Sequence, residues 1–519
     1  MDNEYNSMGK KDIISDDEAN EILAKICFSI NDKIRFKYNE EGARSLSFID
    51  HYLFQCTSFF ISLVHQHKYA KDAFTFNDIF IFRCLIENFA IIRMYLEGDI
   101  LEDSRELLNC YNFVAEFNIY SKYKNELDSK LFDFWEISEN YKGVKAMYRD
   151  ALKDKNSQSF KKLMCSRLPF LMNDYSFKIL IENYLPDFID FYQISTVMVH
   201  PNDLYTSKLI AEDLKLKEVE FDLYKEFDNI LDELKLKKSI TFDKSLDSEY
   251  KFLFPTLFNN GYLEFANQQA NILNRVADIL DNKFSDLFPT QMLREVGDDI
   301  YLLALDKVFG YAEIIKAKFK HIVETLALEM YMNKNVYPWI IDLNRYNTHL
   351  RMLQVLDPEK YEEKSRFYYK KIKKKTNIDY ETFVSKTSKM LGFVDNFESI
   401  NKFVYSFIEA CLVSNPEYIA HIKMLYDESQ ALSHANGYMI GANNGAFGEY
   451  SLVLYFIDLA QKVILNLIIA HIKLLPYLYP NLNIDNPLKE IMSLSKDYEE
   501  KMKSKHILDK ISEKYKIKI

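Results

Sequence analysis

Hydrophobic residues recur along most of this chain with the three- and four-residue spacing of amphipathic helices. The segment Phe82–Tyr95 shows the pattern clearly, with apolar side chains along one predicted helix face. The same spacing recurs in Tyr301–Tyr331, Ile400–Leu412 and Glu449–Leu475. No segment stands out with the alternating pattern of a strand. The periodicity therefore predicts an all-α fold.

Composition supports this prediction. Glycine (12) and proline (11) together make up about 4% of the 519 residues, against a usual share of about 12%. Hairpin-based and doubly wound folds need more turn residues, and neither a GxxxxGK[ST] nor a GxGxxG string is present. With 48% hydrophobic and 28% charged residues, the chain can bury a core and is not expected to be disordered.

The length predicts more than one domain, since a domain has about 100–200 residues. A polar, charged run between Lys235 and Pro255 marks the predicted boundary. We therefore expect a loose tail at residues 1–14, a helical unit at 15–240 and a second at 241–519. Ser15 and Glu18 have capping-box spacing, which predicts that the first helix begins there.

The net charge is −11, so the chain as a whole is not a general polyanion binder, and nucleic acid would need a local basic patch. The six cysteines lack CxxC spacing, which predicts reduced core residues in a cytoplasmic protein. The most apolar stretch, Ser451–Leu475, contains charged residues and is read as a buried helix. We expect no metal, no cofactor and no membrane contact.

The two halves of the chain repeat each other. FRCLIENFA at 82–90 matches FKHIVETLA at 319–327, and YQISTVMVHPN at 192–202 matches YDESQALSHAN at 426–436. The glutamate and the histidine of these motifs lie 113 residues apart in the first half and 110 in the second. This repetition predicts a tandem duplication, with two helical bundles packed as a pseudo-dimer.

The first repeated motif places Arg83 four residues before Glu87, and Lys320 four residues before Glu324. Such a pair is either a surface salt bridge, a buried pair that fixes helix register, or a phosphate-binding cation that the glutamate orients. An arginine grips phosphate with two donors, whereas a lysine acts as a point charge. The two sites are therefore not expected to be equivalent.

The second repeated motif ends in a histidine. Its residues are Tyr192, Ser195, His200 and Asn202, matched by Tyr426, Ser429, His434 and Asn436. Histidine suits general acid–base catalysis at neutral pH, and the tyrosine and serine can hold its tautomer or contact a phosphate. The asparagine either caps the helix or contacts a ligand. The alternative is a polar helix end with a hydrogen-bonded core histidine.

A local basic run, KSRFYYKKIKKK, extends from Lys364 to Lys375. Its basic groups attract phosphates and its aromatic rings can stack on bases. From this run, Arg366, Lys370, Lys371 and Lys373 join the tyrosines, serines and asparagines of the second repeated motif as candidate substrate-binding residues. The alternative is a solvated helix face on which the lysine stems cover apolar surface.

An all-helical unit with R-x-x-x-E on an early helix and S-x-x-x-x-H at the end of a later one resembles the HEPN superfamily of toxin–antitoxin and antiphage systems. Nucleases of this family usually carry an arginine four to six residues from the histidine on the same helix. Neither His200 nor His434 has one. The resemblance implies that Arg83 or Lys320 would supply the cation from a neighbouring helix.

The resemblance further implies an active site across the interface between the two bundles. The expected function is a metal-independent RNA endonuclease toxin of the abortive-infection type. The expected partners are RNA and either an operon-encoded regulator or a phage trigger. Assembly of the chain into a homo-oligomer is a further possibility. The alternative is a non-catalytic sensor or scaffold that binds a nucleotide, nucleic acid or protein in the same polar pocket.

Overall fold

The fold of this chain is helical wherever it is described. A computed structural model describes residues 16–41, 46–69, 76–102, 104–105, 108, 122–123, 168, 177–198, 215–236, 261–284, 290–309, 312–334, 347, 349–388, 399–412, 416–431 and 450–501. These residues form α-helices, one 3₁₀ helix and short connections, with no strand among them. The predicted all-α fold class is confirmed.

Six described α-helices precede the predicted boundary. They are α1 (Asp16–Glu41), α2 (Phe48–Tyr69), α3 (Phe76–Leu96), α4 (Phe177–Tyr184), α5 (Ile189–Met198) and α6 (Leu216–Glu233), with a 3₁₀ turn at Pro186–Phe188 before α5. Helix α3 is central and packs against α2, α4, α5 and α6. Phe60, Phe89 and Phe227 pack ring against ring, with centroids 4.8–6.1 Å apart, and tie α2, α3 and α6 together.

The second half contains α7 (Gly261–Phe284), α8 (Thr290–Phe309), α9 (Ala312–Lys334), α10 (Pro358–Thr376), α11 (Tyr380–Thr387), α12 (Ile400–Leu412), α13 (Pro416–Ala431), α14 (Tyr450–Leu478) and α15 (Asp485–Lys501). Here α9 is central, packed against α8, α12, α13 and α14. Helices α10 and α11 pack on each other around a small core of Leu350, Ile372 and Phe383.

The neighbours of the two central helices correspond in order along the chain. Helix α3 follows the α1–α2 pair and contacts α4, α5 and α6, while α9 follows the α7–α8 pair and contacts α12, α13 and α14. Most residues of each main core come from one half, but Met352 joins the first core, Tyr123 joins the second, and α2 contacts α8 across the halves. This correspondence is what a tandem duplication predicts. The pseudo-dimer stays a prediction, and the boundary at 240/241 lies outside the described residues.

Several predicted elements can be compared with the structure. Ile400–Leu412 is confirmed as α12, and Glu449–Leu475 corresponds to α14. The single helix predicted for Tyr301–Tyr331 is wrong, because α8 ends at Phe309 and α9 begins at Ala312. Among the described helices, none combines the length and apolar character that spanning a bilayer requires.

The prediction that the cysteines are core residues is confirmed for the thiols that the structure describes. Cys27, Cys56 and Cys84 are free and buried in the first core. Burial raises the pKa of each thiol well above its usual value, because the thiolate would lose its hydration. These cysteines therefore behave as inert core residues.

Candidate functional site

The first repeated pair lies inside the N-terminal bundle. Arg83 Nε is 3.2 Å from Glu87 Oε1 on α3, and the two residues are 6% and 0% exposed. Burial opposes the charged form of Arg83, but Glu87 together with Tyr192 and Cys84 outweighs burial and raises the pKa of Arg83, so the guanidinium stays charged. Because helices cover α3 on several sides, even its polar positions are enclosed. The surface salt-bridge interpretation is therefore wrong for this pair.

Tyr192 of α5 completes this buried group. Its hydroxyl donates to Glu87 Oε1 over 3.1 Å, and Arg83 Cζ lies 5.5 Å from the centre of its ring. Burial and the charge of Glu87 raise the pKa of Tyr192, so the phenol remains a donor. The structure thus joins the first and second repeated motifs, which lie about a hundred residues apart in sequence.

The second half makes the same contact. The Tyr426 hydroxyl donates to Glu324 Oε1 over 2.9 Å, and Glu324 is fully buried. Lys320 Nζ is 3.9 Å from Glu324 Oε1, and the lysine side chain is 17% exposed. Burial and the charge of Glu324 raise the pKa of Tyr426. Both halves therefore contain a tyrosine, a buried glutamate and a cation, with the cation held more loosely in the second half.

The two cations act on one region. The pKa of the Cys84 thiol, adjacent to Arg83, is raised by burial and by Glu87 and is lowered by the charges of Arg83 and Lys320. Lys320 of α9 is therefore within electrostatic reach of α3 in the other half. Helix α2 of the first half also contacts α8 of the second.

The repeated serines are engaged within their own helices. Ser195 Oγ donates to the Tyr192 carbonyl over 2.7 Å, and Ser429 Oγ donates to the Leu425 carbonyl over 2.6 Å. Both serines are buried. Such back-bonding satisfies a hydroxyl inside a helix, so these two serines do not present a donor to a phosphate or a histidine in this conformation.

The repeated histidines and asparagines lie outside the described residues. These are His200 and Asn202, which follow α5, and His434 and Asn436, which follow α13. Their predicted roles stay predictions. The structure describes the helices that lead to them and the contacts of Tyr192 and Tyr426 on those helices.

A further polar cluster went unnoticed in the sequence. Asp427, next to Tyr426, accepts hydrogen bonds from Lys122 Nζ and the Tyr123 hydroxyl, each over 2.7 Å, and from Tyr405. Lys122 Nζ lies 5.0 and 4.9 Å from the ring centres of Tyr123 and Tyr405. Residues of the first half thus dock beside the second-half motif. The equivalent of Asp427 in the first motif is Gln193, so no repeat signalled it.

Two buried histidine–carboxylate pairs were also missed. His321 Nδ1 is 2.6 Å from Asp299 Oδ2, and His471 Nε2 is 2.5 Å from Glu329 Oε2. All four residues are at most 3% exposed. Such pairing offsets the cost of burying a polar ring. The described residues contain no group of three or more His, Cys, Asp or Glu arranged to hold a metal ion.

The candidate substrate-binding residues of the basic run are exposed on α10. Arg366, Lys370, Lys371 and Lys373 all face solvent. Helix α10 belongs to the small α10–α11 core rather than to the two main cores. Arg366 Nε donates to Glu362 over 2.8 Å, so part of its hydrogen-bonding capacity is already used.

Comparison of the chain with known proteins identified no relative. The chain matches no protein-family model, and neither the curated proteins nor the solved structures contain a significant match.

Proposed function

We propose that this protein is a tandem HEPN-like protein of the abortive-infection type in bacterial antiphage defence, acting in the cytoplasm as a metal-independent RNA endonuclease. The observation that supports this proposal best is the recurrence of one buried contact in both halves. Tyr192 donates to Glu87 and Tyr426 donates to Glu324, each glutamate one turn from a cation. In each half the matched histidine follows the tyrosine by eight residues in the sequence.

The proposed chemistry assigns a role to each of these groups. His200 or His434 takes the proton from a ribose 2′-hydroxyl, whose oxygen attacks the adjacent phosphorus. Arg83 or Lys320 neutralises the negative charge that develops on the phosphoryl oxygens. The P–O5′ bond breaks and the leaving oxygen takes up a proton, which gives a 2′,3′-cyclic phosphate and a 5′-hydroxyl. Glu87 and Glu324 position the cations, and the tyrosines hold the glutamates.

Within this proposal the second half is the active one. The Lys320 side chain is 17% exposed and 3.9 Å from its glutamate, whereas Arg83 is 8% exposed at the side chain and 3.2 Å from Glu87. A cation must leave part of its protein contacts to meet a phosphate. Lys320 loses a weaker contact than Arg83 does, because it lies farther from its glutamate and is more exposed.

The second candidate is a non-catalytic sensor or scaffold, favoured by the enclosure of Arg83. This residue is 6% exposed, paired with Glu87 and placed against the Tyr192 ring. A buried pair of this kind sets helix register without meeting a substrate. Under this interpretation the polar pocket binds a nucleotide, a nucleic acid or a phage protein, and no bond is broken.

Cleavage of total RNA and tRNA in the presence of EDTA separates the two candidates. The purified protein is compared with the double variant His200→Ala/His434→Ala, with Lys320→Ala, and with His349→Ala as a control histidine outside the motifs. We expect cleavage by the wild type and the control, loss in the double variant, and 2′,3′-cyclic ends on the products. Cleavage that survives the double variant refutes the assigned chemistry.

A folded wild type that leaves RNA intact favours the sensor. A plaque assay then tests the defence role in either case. Expression of the wild type should reduce phage plating efficiency, and expression of the double variant should not.

A further inference from the structure

Helix α10 exposes a basic face to solvent. The helix begins at Pro358, where the Asp357 side chain accepts from the Lys360 amide over 2.9 Å and caps the first turn. Ser365 and Ile372 are buried, and Ile372 packs with Leu350 and Phe383. The opposite face is solvent-exposed and carries Arg366, Phe367, Lys370, Lys371, Lys373 and Lys374.

An aromatic ring stands in the middle of this face. Phe367 is 48% exposed, and the ammonium groups of Lys371 and Lys364 lie 4.6 and 5.8 Å from its ring centre. Lys370 and Lys374 follow one and two turns later on the same side. No acidic residue occurs between Lys364 and Lys375, although the whole chain carries a net charge of −11. The local charge therefore opposes that of the rest of the protein.

We propose that this face of α10 binds single-stranded RNA, with the lysines on successive phosphates and one base stacked on Phe367. An exposed ring beside several cations matches the stacking platform and the electrostatic groove by which proteins hold single strands. The choice of RNA as the polyanion rests on the proposed nuclease function.

Two other occupants fit the surface less well. A membrane-binding helix needs a broad apolar face free to enter the lipid, but the apolar face of α10 packs on the α10–α11 core. An RNA duplex keeps its bases stacked internally, so it would leave Phe367 without a base. Because Arg366 is already bonded to Glu362, the lysines supply most of the phosphate contacts.

The chain contains a matched control for this surface on α6. Phe221 is 67% exposed and lies between the exposed Lys217 and Lys225, one turn away on each side. Seven of the eighteen residues of α6 are acidic, however, and only two are basic. Phe221 is therefore an exposed ring with flanking lysines on a helix of negative net charge, and we expect this surface not to bind RNA.

The test is fluorescence anisotropy of full-length protein with a labelled single-stranded 2′-O-methyl RNA, which has no 2′-hydroxyl to attack and so stays intact. We expect Lys370→Gln/Lys371→Gln/Lys374→Gln to weaken binding at least about tenfold and to reduce the slope of log K against log salt by about 2. Phe367→Ala should weaken binding about tenfold without changing the slope. The controls Lys178→Gln/Lys217→Gln/Lys225→Gln and Phe221→Ala should stay within about twofold of wild type.

The inference is overturned if the α10 variants bind like the wild type, if a hairpin duplex binds more tightly than the single strand, or if anionic vesicles bind and RNA does not. Cleavage, measured for the wild type and for the double variant His200→Ala/His434→Ala, tests the nuclease proposal, whereas binding by the α10 variants tests this inference. Intact α10-dependent binding without any cleavage by the wild type refutes the nuclease alone. Normal cleavage with no effect of the α10 variants refutes the α10 surface alone.

Discussion

Glu87→Gln removes a buried negative charge while it keeps the side-chain volume and an oxygen that can accept from Tyr192. Arg83 Nε lies 3.2 Å from the carboxylate, and at an effective dielectric constant of about 20 two charges at this distance attract by about 5 kcal/mol. Removing one partner of a buried pair costs about 3–5 kcal/mol, because the other charge stays buried. With the hydrogen bond to the amide oxygen retained, we expect a loss of about 3 kcal/mol around α3.

Glu324→Gln is the matched change in the second half. At 3.9 Å and the same dielectric constant, the attraction is about 4 kcal/mol, so distance alone hardly separates the two pairs. Exposure does separate them, because the Lys320 side chain is 17% exposed and its flexible stem can carry the ammonium into water. We therefore expect a loss of only about 1 kcal/mol around α9.

Hydrogen exchange followed by mass spectrometry measures each bundle separately, since peptides from α3 and α9 report their own opening free energies. With tenfold for each 1.4 kcal/mol, α3 should exchange about 100-fold faster in Glu87→Gln, and α9 about fivefold faster in Glu324→Gln. Equal acceleration in the two variants, or less than about tenfold in α3, would refute the reasoning that burial of the cation decides the cost.

Two further predictions concern stability. Burial opposes protonation of His67, but its hydrogen bond to Asp78 and the charges of Asp78 and Glu220 outweigh burial and raise its pKa. The resulting stabilisation is present below about pH 6.5 and is lost as the pH rises through the folded-state pKa, so in urea denaturation His67→Gln should remove this pH dependence. Gly297→Val should cost about 1–3 kcal/mol in thermal unfolding, because a Cβ there would lie 3.3 Å from Ala270 Cα; an unchanged midpoint contradicts this.

Local sequence pattern predicted the helices well. The spacing at Ile400–Leu412 gave α12 with its observed ends, because helical periodicity depends on neighbouring residues alone. The pattern failed where two helices follow closely, since Tyr301–Tyr331 keeps a similar period through the break between α8 and α9. Gly310 was the one local signal for that break.

The candidate site was predictable only in part. The repeat pointed to Glu87, Tyr192 and their counterparts, and the structure joins each glutamate to its tyrosine. It could not indicate Asp427, whose partner Lys122 lies 305 positions away and has no matched equivalent. Contacts over such separations depend on which helix faces meet, and a single sequence does not encode that in any local period.

The sequence by itself determined the helical class, the repeated motifs and the one-turn spacing of each cation from its glutamate. Only the tertiary structure decided that Arg83 is enclosed while Lys320 keeps partial access to water. Both pairs have the same spacing on their helices, and the change from arginine to lysine does not tell which cation is enclosed. Their difference comes from how neighbouring helices cover α3 and α9. Burial sets both the strength of the interactions that a charged group makes and its access to a ligand.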